Sequence, residues 1–268
     1  MTEQAVRRGD HITLSLTSWG RLGEAMAQYQ DWDVFVFGGI PGETVVAEIL
    51  RIQRKYLAAR VVELIQGSEL RVEPPCPYYG ECTGCQWQHI SYEQQLEMKR
   101  DIVRDALAQG GGLDDVTVEP AMPSPSPLGY RNHARFTISR NAKLGFVNRA
   151  TREVVEVDEC LLMNRGINEA LASLQGLVGE TSQLSIRYGV NTGSLMVQPK
   201  LHHPDVPFAT GQRTYQESLL GHTFQVASPS FFQVNTGLAE QLAGLVKEGL
   251  QLTGKETVVD AYAGVTAF

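Results

Sequence analysis

"CPYYGECTGCQWQH", residues 76–89, sets three of the chain's four cysteines within ten positions. Whether those sulfurs bind each other, a metal or a substrate decides how the rest is read. At 268 residues the chain exceeds what one ordinary core needs, so two or three domains are expected. Its 43% hydrophobic content is globular, and no apolar run approaches the roughly 20 residues of a membrane span. The opening "MTEQAVRRGD" has no apolar stretch of a secretory signal, so a cytoplasmic protein with no membrane partner is expected. Thiols stay reduced in that compartment. Cys76, Cys82, Cys85 and the distant Cys160 therefore read as a metal-ligand set rather than as disulfides.

Zinc sites usually join two short pairs, whereas the pattern here is C-x5-C-x2-C with one remote partner. Four thiolates so arranged suit a 4Fe–4S cluster. Spacing alone favours the cluster and leaves zinc open. Pro77, Tyr78, Tyr79 and Trp87 are placed to wall such a group from water.

Upstream, "HITLSL" alternates Ile12, Leu14 and Leu16 as a half-buried strand does. "DVFVFGGIPGETVVAEI" gives two apolar runs around a Gly-Pro-Gly turn, and "YLAARVVELI" gives another. Several short strands in about 65 residues suit an OB-like barrel, a fold that often carries nucleic acid. Arg51, Arg54, Lys55 and Arg60 fall between its last strands, with no acid from Ile49 to Val62. They read equally as a nucleic-acid contact and as a solvated turn.

After the cysteines, Ser91 and Gln94 form a capping box, with Tyr92, Leu96, Val103 and Leu107 along one helix face. "GGG" at 110–112 stops that helix, and "PSPSP" at 123–127 marks a loop or boundary. Next, "RNHARFTISRNAKLGFVNRATR", from Arg131 to Arg152, holds five arginines and one lysine and no acid. The whole chain is −7 and this stretch +6, so the remainder is −13. Tyr130, Phe136 and Phe146 are interleaved, offering stacking surfaces beside phosphate-binding charge. A basic face on an acidic protein points to a docked polyanion. Arg131, Asn132, Arg135 and Phe146 are the RNA-contact candidates.

Near the C-terminus, "NTGLAEQLAGLVKEGLQLTG" places Leu238, Leu242, Leu245, Val246 and Leu250 on one helical stripe closed by Gly254. "TVVDAYAG" then reads as a buried parallel strand ending in an acid and a glycine, as in a Rossmann-like nucleotide-binding sheet.

The cysteine run with a remote "DEC", then "YRN" and "FFQVN", resembles the RumA-type RNA (uracil-5-)methyltransferases over nearly the whole chain. The resemblance implies a multidomain α/β protein with added β structure. Residues 1–66 would form an OB-like TRAM RNA-binding barrel. Residues 67–90 and 120–227 would form a central mixed α+β iron–sulfur domain. Residues 91–119 and 228–268 would open a Rossmann-like methyltransferase domain. It further implies a 4Fe–4S cluster on the four cysteines. S-adenosylmethionine would be contacted by Gln233, Asp260 and Gly264. The implied reaction methylates carbon 5 of a uridine in structured RNA through a cysteine–uracil adduct. The N-terminal barrel favours 23S ribosomal RNA over transfer RNA, and a monomer is expected.

"DAYAGVTAF" departs from the family's Asp-x-Tyr-Cys-Gly-x-Gly-Thr-Phe loop, with Ala263 for the cysteine and Thr266 for the second glycine. The family's later motifs, including its nucleophilic cysteine, are absent. The expectation is therefore of an enzyme's front portion with no catalytic residue of its own, inactive alone. The alternative is a non-catalytic iron–sulfur or zinc RNA-binding protein.

Overall fold

Alternating apolar and polar residues drive the first part of the chain into six strands: β1 (His11–Ser15), β2 (Ser18–Trp19), β3 (Ala25–Tyr29), β4 (Trp32–Phe37), β5 (Thr44–Ile52) and β6 (Tyr56–Gln66). The computed structural model describes residues 6–20, 23–148, 151–261 and 263. The chain divides into two units, Met1–Met122 with Asn148–Thr151, and Pro123–Val147 with Arg152–Phe268. The second unit thus opens on the proline-rich run.

In the first unit the strands form one sheet in the order β1-β5-β6-β4-β3-β2. All neighbours are antiparallel except β4 and β6. β1 packs on β3, so the sheet curls over a single core. That core holds Ile12, Leu14, Leu16, Val34, Val36, Val45, Ala47, Ile49 and Leu57, one face of each alternating strand. Register shifts along β5 and β6 supply the bends that such curling needs.

The helix α1 (Tyr92–Gly111) starts where the capping pair predicts: Ser91 Oγ accepts from Gln94 N–H at 3.3 Å. Gly112, at φ 61°, closes it by donating to the Ala108 and Leu107 carbonyls. Its packing differs from the expected stripe. Met98 is the buried residue and Val103 is half exposed. Met98 joins Ile40 and Ile90 in a small second core, with Trp19 and Trp87 against it. The neighbour, not the helix's own periodicity, chose which side is covered.

The second unit contains β7 (His133–Ile138), β8 (Leu144–Val147), β9 (Val154–Glu156), α2 (Arg165–Leu174), β10 (Gln183–Tyr188), β11 (Leu195–Gln198), β12 (Thr214–Leu219), β13 (His222–Ala227) and α3 (Thr236–Leu250). A five-stranded antiparallel sheet runs β11-β10-β7-β8-β9, and β12 and β13 form a hairpin. Asn164 caps α2 by accepting from Ile167 N–H at 2.9 Å. Ile167, Ala170, Leu171 and Leu174 of α2 are buried, and the helix packs on β10. Gly166 permits that approach: a Cβ there would stand 2.4 Å from the Tyr188 ring. Met196, Tyr215, Leu219, Val226, Phe232 and Ala239 form a separate core around the hairpin and the start of α3.

Two C-terminal expectations are corrected. Leu242, Leu245, Val246 and Leu250 are each 41–49% exposed, and only Thr236 and Ala239 of α3 are buried. Only the first turns of the helix meet the hairpin core, so the leucine stripe beyond them has no layer over it among the described residues. Among the described residues of "TVVDAYAG" the expected buried parallel strand is not formed either. Residues 255–260 have no regular structure, and Val259 is 82% exposed. An apolar strand needs a ladder partner and a covering layer, and among the described residues this segment has neither.

Candidate functional site

In the first unit the cysteine loop is a series of tight turns. Tyr79 N–H donates to the Cys76 carbonyl at 3.0 Å, and Cys82 N–H to the Tyr78 carbonyl at 2.7 Å. Cys76, Cys82 and Cys85 are in no disulfide and are partly buried. Burial pushes the Cys82 thiol up and the neighbouring Cys76 adds to this, while a backbone N–H at Gly84 opposes it.

Aromatic residues fasten the loop to the curled sheet. Trp87 Nε1 donates to the Gly23 carbonyl at 2.7 Å. Gly23 sits at φ 85°, and a Cβ there would stand 2.1 Å from the Trp87 ring. Tyr79 Oη donates to the Gln86 carbonyl at 2.8 Å and lies 2.5 Å from His89 Nδ1. Burial pushes the Tyr79 phenol up. His89 is buried and stays neutral down to about pH 4, through burial first and then the nearby Arg71 charge. Arg71 grips the buried Glu43 with both oxygens, at 2.7 and 2.6 Å. Burial pushes the Glu43 carboxyl up, but the donors Arg71, Ser68 and Ile40 outweigh it and hold it low. Asn148 Nδ2 donates to the Glu81 carbonyl at 2.8 Å, which ties the loop's middle to the end of the basic stretch.

Cys160 belongs to the second unit, where it too is in no disulfide and is partly buried. Asn168 of α2 pins its backbone from both sides, at 3.0 and 3.1 Å. Among the described residues no three His, Cys, Asp or Glu side chains are gathered as a metal site. The donor chemistry still suits a sulfur-ligated group: three cysteines share one short loop, and none is spent in a disulfide.

The basic stretch is split by strand parity. Ala134 and Phe136 of β7 face the core, while His133 and Arg135 face the other way. Phe146 packs on Phe136 with ring centroids 5.0 Å apart, so it lies on the core side, opposite Arg135. Arg135 is exposed and donates to Gln183 Oε1 at 2.6 Å. Arg131 Nε donates to the His133 carbonyl at 3.1 Å. Asn132 is 1% exposed and points inward: its Nδ2 donates to the Gln233 carbonyl at 2.9 Å and to Thr236 Oγ1 at 3.1 Å.

That pair of bonds joins a buried network that no sequence pattern signalled. Thr236 Oγ1 donates to Glu217 Oε2 at 3.1 Å, and Glu217 also accepts from the backbones of Val190, Asn191 and Ser218. Gln233, a proposed cofactor contact, is thereby held by its main chain, while its half-buried side chain makes no hydrogen bond among the described residues. Asp260 is exposed in the irregular segment. Gly264 lies outside the described residues.

No family model matches the chain. It is nevertheless similar, over nearly its full length, to proteins named RNA methyltransferases. One from Gloeobacter violaceus is 29% identical across 97% of this chain and 69% of its own length. One from Halalkalibacterium halodurans is 29% identical across 99% of this chain and 70% of its own. Among solved structures, the chain shares the fold of the Pyrococcus abyssi tRNA (uracil-54, C5)-methyltransferase in complex with S-adenosyl-L-homocysteine. The TM-score is 0.70 at 22% identity, over 96% of this chain and 69% of that one. No helix among the described residues is long and apolar enough to cross a membrane.

Proposed function

We propose that this chain belongs to an S-adenosylmethionine-dependent RNA methyltransferase that modifies carbon 5 of a uridine in structured RNA. The carrying observation is the full-length similarity to proteins named RNA methyltransferases, and the fold shared with a uracil-C5 enzyme supports the choice of base. The first unit's curled sheet would act as a TRAM-like RNA-binding barrel, and Arg131 and Arg135 would bind RNA phosphate from the second unit. Asn132, being buried, would position Gln233 rather than touch RNA. S-adenosylmethionine, when bound, supplies the methyl group as a sulfonium; Gln233, Asp260 and Gly264 are the residues assigned to hold it. The reaction would use a thiolate added at uracil carbon 6 and a base that removes the carbon 5 proton.

Cys76, Cys82, Cys85 and Cys160 are assigned to a 4Fe–4S cluster, so none of them is assigned as the nucleophile. The cluster's role would be structural. It would bind the sulfurs of cysteines that are partly buried and in no disulfide. Anaerobically prepared protein should contain iron and acid-labile sulfide, and Cys82→Ser should lose both. Stoichiometric zinc without iron would overturn the cluster.

The barrel favours 23S ribosomal RNA, whereas the solved neighbour is named for a transfer RNA. Gene deletion followed by nucleoside mass spectrometry of both RNAs separates these cases. The expected result is loss of one 5-methyluridine from 23S ribosomal RNA. Loss from transfer RNA alone would overturn the ribosomal assignment, and an unchanged content in both would overturn uracil methylation.

A further inference from the structure

Arg187, in β10, is 6% exposed, and its Nε has no hydrogen-bond partner. It makes no ion pair among the described residues. A buried guanidinium without a counter-ion is unfavourable, and its contacts with Tyr215, a side-chain hydrogen bond and the ring 5.8 Å from the centroid, offset only part of that. The buried carboxylate of this unit, Glu217, is already occupied. Glu217 is fully buried, and its two oxygens accept from three backbone N–H groups and the Thr236 hydroxyl.

The neighbours of Arg187 point the same way. Across the β7–β10 ladder Arg187 pairs with His133, and Ser185 pairs with Arg135. His133 Nε2 lies 3.0 Å from Ser185 Oγ. Burial, followed by the charges of Arg187, Arg131 and Arg135, keeps that imidazole neutral down to about pH 4. The charges of three guanidinium groups therefore act on one neutral ring. Neither strand carries an acid on either face.

We propose that this face of β7 and β10 binds backbone phosphates of RNA, with Arg187 as the buried floor and Arg131 and Arg135 as the outer arms. The proposal rests on the RNA-directed function above and adds a residue that the basic stretch does not contain. Guanidinium groups match phosphate oxygens in charge and fork geometry. Arg187, in a low-dielectric setting, strengthens the field at the surface without needing full exposure. Antiparallel pairing holds the array in place, so little ordering accompanies binding.

The test is fluorescence anisotropy of a labelled uridine-containing stem–loop RNA with the full chain, over a salt series. Arg135→Gln and Arg187→Gln should each reduce the slope of log K against log salt by about 0.7–0.9, and Arg187→Lys should restore it. Arg131→Gln and Arg135→Gln carry the test should circular dichroism find Arg187→Gln unfolded. Inorganic phosphate should compete only weakly. Phosphate binding that depends on these arginines while RNA binding does not would mean a free-anion site and overturn the proposal. An unchanged slope in Arg135→Gln and the folded Arg187 variant, with wild-type protein binding RNA, would also overturn it and leave uracil methylation standing. Conversely, altered slopes together with unchanged cellular 5-methyluridine would support the site and overturn the methylation reading.

Discussion

Replacing Asn132 by alanine tests whether this residue contacts RNA or holds the Gln233 segment. The change removes two hydrogen bonds, to the Gln233 carbonyl at 2.9 Å and to Thr236 Oγ1 at 3.1 Å. Thr236 keeps its bond to Glu217, so its hydroxyl is not wholly orphaned. The Gln233 carbonyl loses the side-chain donor that meets it. One buried acceptor left unsatisfied costs about 1–3 kcal/mol, and the second lost bond about 1 kcal/mol. The expected loss is about 2–4 kcal/mol. The strand itself should persist, because Asn132 N–H still donates to the Val234 carbonyl and Tyr188 N–H to the Asn132 carbonyl. Urea denaturation followed by far-ultraviolet circular dichroism measures this. Tryptophan fluorescence would not, since Trp19, Trp32 and Trp87 all lie in the first unit. Affinity for S-adenosylhomocysteine should fall along with stability. Stability within about 0.5 kcal/mol of wild type, together with weakened RNA binding, would refute the positioning role.

In the first unit, Gly23→Ala forces a side chain into the left-handed region and into the Trp87 ring. Strain of roughly 1–2 kcal/mol and a lost hydrogen bond of about 1 kcal/mol should lower that unit's stability by about 2–3 kcal/mol, with a shift in tryptophan emission. Unchanged emission would contradict the packing. His89 has its folded pKa lowered to about 4 from 6.5. The unfolded chain therefore takes the proton first as pH falls. The contribution is complete above about pH 6.5 and declines toward pH 4, by up to about 1.4 kcal/mol per unit. Urea midpoints read by tryptophan fluorescence should show this decline, and His89→Gln should flatten it; an equal decline in the variant would assign it elsewhere.

Local patterns in the sequence determined the elements that depend on local physics. The alternation of Ile12, Leu14 and Leu16 specifies one buried strand face, and Ser91 with Gly112 specifies both ends of α1, whatever lies nearby. The C-x5-C-x2-C spacing is likewise a property of the sequence. Which face of an element is buried was settled only in three dimensions. Arg131, Asn132, Arg135 and Phe146 read as one basic and aromatic surface, yet the sheet turns Phe146 onto Phe136, Asn132 onto Gln233 and Arg135 outward. Alternation sorts residues into two sets but does not say which set meets α2. The α3 leucines show the reverse case, an amphipathic stripe with no partner among the described residues. Arg187 stands in "QLSIRY" like any strand residue. Its burial follows from Met196 across the ladder and Tyr215 of the hairpin, contacts that long-range packing alone creates.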